Sequence, residues 1–307
     1  MNASAHAIAA DAAAPQRPMP SPGKLLVGLI GAGIQRSLTP AMHEEEARHQ
    51  GLALHYQLID LDVAQVGADK LPTLIEAARI MGFAGLNITY PCKQAVIPLL
   101  DELSDEAQAM GAVNTVVFRR GRAVGHNTDG SGWAWGFQRA LPGANLRRVV
   151  LLGAGGAGSA IAHAVLRLGA QHLVIVEREA GRGAELAAAL NARYGAGRVS
   201  AAGEAAGALH GASGLVHATP TGMDKLPGLP LPAELLRPEL WVAEIVYFPL
   251  HTELLRAARA RGCATVDGGT MAVGQAVGAF QLFTGRPADA LRVETHFHRL
   301  LAEHRSA

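Results

Sequence analysis

Arg148-Val149-Val150-Leu151-Leu152-Gly153-Ala154-Gly155-Gly156-Ala157-Gly158 is the stretch on which the fold turns. A short apolar run, Arg148 to Leu152, reads as a buried strand, and the residues after the glycines, Ser159 to Leu168, read as a helix. A second strand, His172 to Glu177, completes one βαβ unit. Glycines at 153, 155 and 158 fit GxGxxG: the first for a tight turn, the second for close approach of a pyrophosphate, the third for helix-on-strand packing. In a chain with 36 glycines such a pattern alone is a plain turn as easily as a site. The strand before it, the helix after it and the carboxylate of Glu177, 19 residues beyond Gly158, make it a dinucleotide site.

Glu177 also bears on which dinucleotide binds. A carboxylate at the end of that strand accepts hydrogen bonds from the adenosine ribose hydroxyls and repels a 2′-phosphate, which favours NAD over NADP. Arg178 and Arg182 pull the other way, because an arginine there can pair with the extra phosphate.

Outward from this unit, Gly214 to Ala218 and Trp241 to Val246 read as further strands, and the short apolar run Cys263 to Val266 closes the unit. Thr252 to Arg261 reads as a capped helix. Toward the N-terminus, strands are predicted at Lys24 to Ile30, His55 to Leu61, Gly85 to Thr89 and Val113 to Phe118. Helices are predicted at Pro40 to Gln50, with Thr39 as N-cap, at Leu71 to Met81, and after Ser104. The alternation predicts an α/β protein with a mainly parallel sheet in each of two domains. Thr270 to Phe283 reads as an apolar helix that must pack on something.

The length of 307 residues fits two domains. A net charge of +1 without a long basic run excludes nucleic acid or an anionic membrane as the main partner. Cys92 and Cys263 are too few and too distant for a disulfide framework or a zinc site, and no HExxH or CxxC accompanies the 13 histidines, so no metal is expected. Residues 1–23, rich in Ala and Pro, are expected to be a disordered tail, and no run approaches a membrane span. The expectation is a cytoplasmic protein, monomer or homodimer.

Four polar clusters stand between apolar stretches. Ser37-Leu38-Thr39-Pro40 puts two hydroxyls at a helix N-terminus, suited to a small carboxylate. Asn87-Ile88-Thr89-Tyr90-Pro91-Cys92-Lys93 follows a strand end, where open α/β sheets bind ligands. Ala112-Val113-Asn114-Thr115 and Asn127-Thr128-Asp129-Gly130 add amide and carboxylate groups. With the glycine loop, with Ala218-Thr219-Pro220-Thr221-Gly222-Met223 and with Gln275-Ala276, this ordered set resembles the shikimate dehydrogenase family, over about residues 24–300. Within that family it is most similar to the NAD-dependent quinate/shikimate dehydrogenases.

The resemblance implies a substrate domain at 24–128 and 269–307, a Rossmann domain at 129–268, and a C-terminal helix returning to the first domain. It implies that Lys93 and Asp129 form the catalytic pair that handles the proton, without saying which of them accepts it. Ser37 and Thr39 match the hydroxyls that hold the substrate carboxylate, and Asn87, Thr89, Asn114 and Gln275, with Asp129, the groups that bind ring hydroxyls. Tyr247 matches a secondary substrate position. Gly153, Ala154, Gly155, Gly156, Ala157, Gly158, Glu177, Arg178, Thr219, Pro220, Met223, Val246 and Gly268 match cofactor-binding positions.

Thr39 stands where the biosynthetic enzymes usually carry Ser, and Glu177 where NADP-using members carry Asn followed by Arg. Both tilt the expectation toward NAD-dependent quinate oxidation at the C3 carbinol, an activity of quinate catabolism that also bears on the shikimate pathway and aromatic amino acid biosynthesis. The competing readings are an NADP-dependent biosynthetic shikimate or aminoshikimate dehydrogenase, and a non-catalytic ligand-sensing homologue.

Overall fold

Two six-stranded sheets carry the chain, and the computed structural model describes residues 24–304 of it. Segment 1–23, expected to be a tail, lies outside the described residues. The first sheet holds β1 (Leu25–Gly31), β2 (Leu54–Asp60), β3 (Phe83–Ile88), β4 (Glu102–Leu103), β5 (Thr115–Arg119) and β6 (Arg122–His126), in the order β2-β1-β3-β5-β6-β4. β2, β1 and β3 run parallel, whereas β5 pairs antiparallel with both β3 and β6. The second sheet holds β7 (Arg148–Leu152), β8 (His172–Val176), β9 (Val199–Ala202), β10 (Gly214–His217), β11 (Trp241–Glu244) and β12 (Thr265–Val266), in the order β12-β11-β10-β7-β8-β9. Every ladder in it is parallel. That is the doubly wound order with its switch point between β7 and β10, where such sheets open a crevice for ligands.

The helices are α1 (Thr39–His49), α2 (Leu71–Ile80), α3 (Cys92–Ala95), α4 (Asp105–Met110), α5 (Asp129–Ala140), α6 (Gly156–Arg167), α7 (Ala180–Tyr194), α8 (Ala205–Leu209), α9 (Glu253–Ala260), α10 (Gly269–Thr284) and α11 (Ala290–His304). α5 runs between the sheets, packing on α6 and on α10. α10 returns to the first sheet: its Ala279 and Phe283 join Val27, Leu29 and Val117 in one buried cluster. α11 is tied to α1 by the buried Glu46, which accepts from Arg292 Nε at 2.7 Å and Nη2 at 2.9 Å. Phe297 of α11 packs with Leu38 and Met42 beneath.

Two local expectations are corrected. Thr39 does not cap α1: Leu38 stands at the N-cap with a near-helical backbone, and Thr39 is the first helical residue. Leu38 is buried with Met42 and Phe297, which draws the chain into helical geometry one residue early, and Ser37 Oγ accepts the Thr39 N–H at 3.3 Å. α6 begins at Gly156 rather than Ser159, with Gly155 as an extended N-cap. The glycines therefore supply its first N–H groups, which have no partner within the helix.

Candidate active site

The loops after β1 and β3 and the polar turns before β5 and α5 converge on a cavity of about 400 Å³. Its lining includes Ser37, Thr39, Asn87, Thr89, Lys93, Asn114, Asp129, Tyr247 and Gln275, every substrate-site and catalytic residue expected from sequence. Met223, expected at the cofactor, lines it too. α10 delivers Gln275 across the molecule, 146 positions after Asp129.

Asp129 is the centre of a donor set. Lys93 Nζ lies 2.7 Å from its Oδ2, while Asn114 Nδ2 at 2.8 Å and Gln275 Nε2 at 2.6 Å both donate to its Oδ1. Its own backbone N–H donates to Asn127 Oδ1 at 2.9 Å, and the Asn127 amide in turn donates to the Ala112 carbonyl at 3.0 Å. Three donors on one carboxylate, two of them fixed amides, hold it in one orientation. The Lys93 side chain is 27% exposed against 2% for Asp129, so the amine faces the cavity and the carboxylate stands behind it.

The asparagines are committed within the protein. Asn114 Oδ1 accepts from Thr128 N at 2.8 Å and Thr115 Oγ1 at 2.9 Å. Asn87 accepts the Tyr56 hydroxyl at 2.7 Å and donates to Thr115 Oγ1 at 3.0 Å. Tyr56 is a member of the site that sequence reasoning missed; its only signal is an aromatic hydroxyl on the inward face of β2. Arg36, His43 and Phe248, which unlike Tyr56 line the cavity itself, were missed as well.

A second groove, of about 690 Å³, adjoins the first and shares Thr89 and Lys93 with it. Ala154, Gly155, Gly156 and Ala157 form one wall, with Arg182 beyond. The glycine positions suit a pyrophosphate. Gly153 sits at φ +100°, where a Cβ would lie 2.7 Å from the Ala218 carbonyl oxygen, and a Cβ on Gly158 would lie 2.9 Å from the Gly153 carbonyl carbon. Around Gly155 and Gly156, by contrast, a Cβ would meet nothing within 4 Å, leaving the open cradle that a phosphate requires.

Glu177 turns back onto this loop: its Oε2 accepts the Ala154 N–H at 2.9 Å and its Oε1 the Glu179 N–H at 3.1 Å. Partial burial alone would raise its pKa, but the donated N–H groups and the Arg182 charge outweigh that and hold it below the usual carboxylate range. Arg178 is exposed, and Arg182 pairs with Glu179.

Thr219, Pro220, Val246 and Gly268 lie outside both linings. Thr219 Oγ1 is 2.5 Å from His217 Nε2, and a Cβ on Gly268 would lie 2.5 Å from the carbonyl oxygens of Ile245 and Val246.

The model of the shikimate dehydrogenase substrate binding domain matches residues 29–116. A shikimate dehydrogenase (NADP(+)) of Streptomyces avermitilis is 62% identical over 270 residues, spanning 87% of this chain and 93% of the relative. The chain belongs to the shikimate dehydrogenase family. This family member is also 46% identical, over 89% of its own length and 98% of the relative, to a quinate/shikimate dehydrogenase (NAD(+)) of Corynebacterium glutamicum strain R. The crystal structure of quinate dehydrogenase from Corynebacterium glutamicum in complex with NAD superposes with a TM-score of 0.85 at 45% identity, covering 90% of this chain and all of that one. Membership makes the chain an oxidoreductase that uses a pyridine nucleotide. Among the described residues, no helix is long and apolar enough to cross a membrane.

Proposed function

We propose that the chain oxidises the C3 carbinol of quinate and of shikimate, using NAD, with the cavity holding the hydroxy-acid and the adjoining groove the dinucleotide. The observation that carries the reading is the Lys93–Asp129 pair at 2.7 Å, placed where the two cavities meet. Bound in the groove, the nicotinamide supplies the acceptor for the hydride that leaves the carbinol carbon.

Lys93 is the group that exchanges a proton with substrate, because its amine faces the cavity. In the oxidative direction the unprotonated amine takes the hydroxyl proton; in the reductive direction the ammonium donates one to the carbonyl oxygen. Asp129, held by Asn114 and Gln275, orients that amine and balances its charge. Ser37 and Thr39 bind the substrate carboxylate, and Thr89 and Gln275 reach ring hydroxyls. Residues 24–128 with 269–307 act as the substrate unit, and 129–268 as the nucleotide unit.

Glu177 supports NAD, since a carboxylate beside the glycine loop repels a 2′-phosphate. The second reading is an NADP-dependent shikimate dehydrogenase. It is favoured by the name of the Streptomyces relative and by Arg182 in the groove wall. Initial rates with quinate and shikimate, each with NAD and NADP, separate the two. Turnover of both acids with NAD and poor rates with NADP support the first reading; turnover of shikimate with NADP alone supports the second.

A further inference from the structure

Two cationic side chains line the substrate cavity, Lys93 and Arg36. Lys93 stands 2.7 Å from the Asp129 carboxylate, so the pair is neutral with the ammonium and negative with the free amine, and in neither state supplies a net positive charge. Arg36 is exposed and, among the described residues, has neither a carboxylate partner nor a hydrogen bond from its guanidinium.

The loop that carries it is fixed by groups other than Arg36 itself. Asp60 accepts from Gly33 N at 3.1 Å, Ile34 N at 3.0 Å and Gln35 Nε2 at 3.0 Å. That carboxylate is thereby occupied, and the loop brings Arg36 to the rim beside Ser37 and Thr39.

Those two hydroxyls supply few free donors. Ser37 donates its proton to Thr39 Oγ1 at 3.1 Å and accepts the Thr39 N–H at 3.3 Å, which leaves the Thr39 hydroxyl proton. A carboxylate has about four lone-pair sites and a full negative charge.

We propose that Arg36 is a specificity determinant of this cavity: its guanidinium supplies the uncompensated positive charge against which the carboxylate of a hydroxy-acid substrate is held, next to Ser37 and Thr39. The inference rests on the reading of the cavity as the substrate site. A guanidinium presents paired N–H donors to a carboxylate, and a charged hydrogen bond of this kind changes affinity by about ten- to a hundredfold.

The test uses the full chain with quinate and shikimate and with their methyl esters, which keep the ring and remove the charge. Arg36→Gln raises KM for the acids about ten- to a hundredfold while kcat falls far less and the dinucleotide KM is unchanged. The ester KM does not move, so the preference for acid over ester collapses, and Arg36→Lys restores part of it. Acid KM unchanged in Arg36→Gln, or acid and ester KM rising together, overturns the proposal. Calorimetric binding of the acids keeps the two readings apart. A wild-type chain that binds the acid without oxidising it overturns the dehydrogenase reading, and the affinity of Arg36→Gln for the acid still decides the role of Arg36. A wild-type chain that does not bind the acid overturns both.

Discussion

Gly132 of α5 and Gly274 of α10 meet backbone to backbone. A Cβ on Gly132 would lie 2.6 Å from the Gln275 backbone nitrogen, and one turn on, a Cβ on Gly136 would lie 2.8 Å from Thr270 Cβ. Only a residue without a side chain permits this approach, and the approach is what places Gln275 on the same carboxylate that α5 presents. In Gly274→Ala the usual gain of about 0.5–1 kcal/mol for Ala in a helix is outweighed by an overpacking cost of about 1–3 kcal/mol. The expected outcome is a lower melting temperature and reduced turnover. A melting temperature equal to or above wild type means that the crossing has room to relax.

Asp129→Asn keeps the shape but loses the charge opposite Lys93. Turnover falls by about 10²–10⁴, the usual worth of a positioned acid–base pair, and Lys93→Met behaves alike. Dinucleotide affinity, measured by fluorescence titration, stays near wild type in both. Near-normal turnover in either variant removes the pair from the mechanism.

His43 makes stability depend on pH. It is buried, donates Nδ1–H to the Thr39 carbonyl at 3.0 Å, and burial lowers its pKa from 6.5 to about 4. Above pH 6.5 the ring is neutral folded and unfolded, and its contribution is constant. As pH falls from 6.5 toward 4 the unfolded chain takes up the proton first, so stability is lost across that window, by roughly 3 kcal/mol at most. Thermal denaturation between pH 4 and 7.5 shows this loss in the wild type and a shallower slope in His43→Asn, which has no proton to gain. Equal slopes assign the pH dependence to other groups.

Glu244 ties together the loops at the C-terminal edge of the second sheet. Fully buried, it faces His217 Nδ1 at 2.9 Å and accepts from Val246 N at 3.0 Å and Thr252 Oγ1 at 3.0 Å, while His217 reaches Thr219. Glu244→Ala leaves buried donors without a partner and costs of the order of 3 kcal/mol. Chemical denaturation measures the loss, and KM for the dinucleotide rises because the loops that leave β10 and β11 at the switch-point edge of the sheet lose their support. A stable variant with an unchanged KM denies the cluster any part in shaping the nucleotide site.

Much of this was legible in the chain. The apolar runs of β1, β7, β8, β10 and β11 are buried parallel strands, and such strands announce themselves by continuous hydrophobicity. The polar clusters at Asn87 to Lys93, Ala112 to Thr115 and Asn127 to Gly130 were visible because no predicted helix cap explains them. What stayed hidden has local causes. β6 was not anticipated because its hairpin turn is Arg120-Gly121, both at positive φ (51° and 76°), where Asn-Gly would have signalled the turn. The capping pattern around Thr39 misled because Leu38 answers to the core beneath it. Tyr56, Arg36 and His43 enter the site through tertiary placement, which no spacing in the chain encodes.

The return of α10 also sets an order of events during synthesis. β12 ends at Val266, so the all-parallel sheet and its glycine loop can close before α10 has left the ribosome. At that moment β1 and β5 still lack Ala279 and Phe283 over their inner face, and Asp129 lacks the amide of Gln275. A nascent chain can thus form its glycine loop before Gln275 reaches Asp129, and that carboxylate gains its third side-chain donor only when α10 packs back.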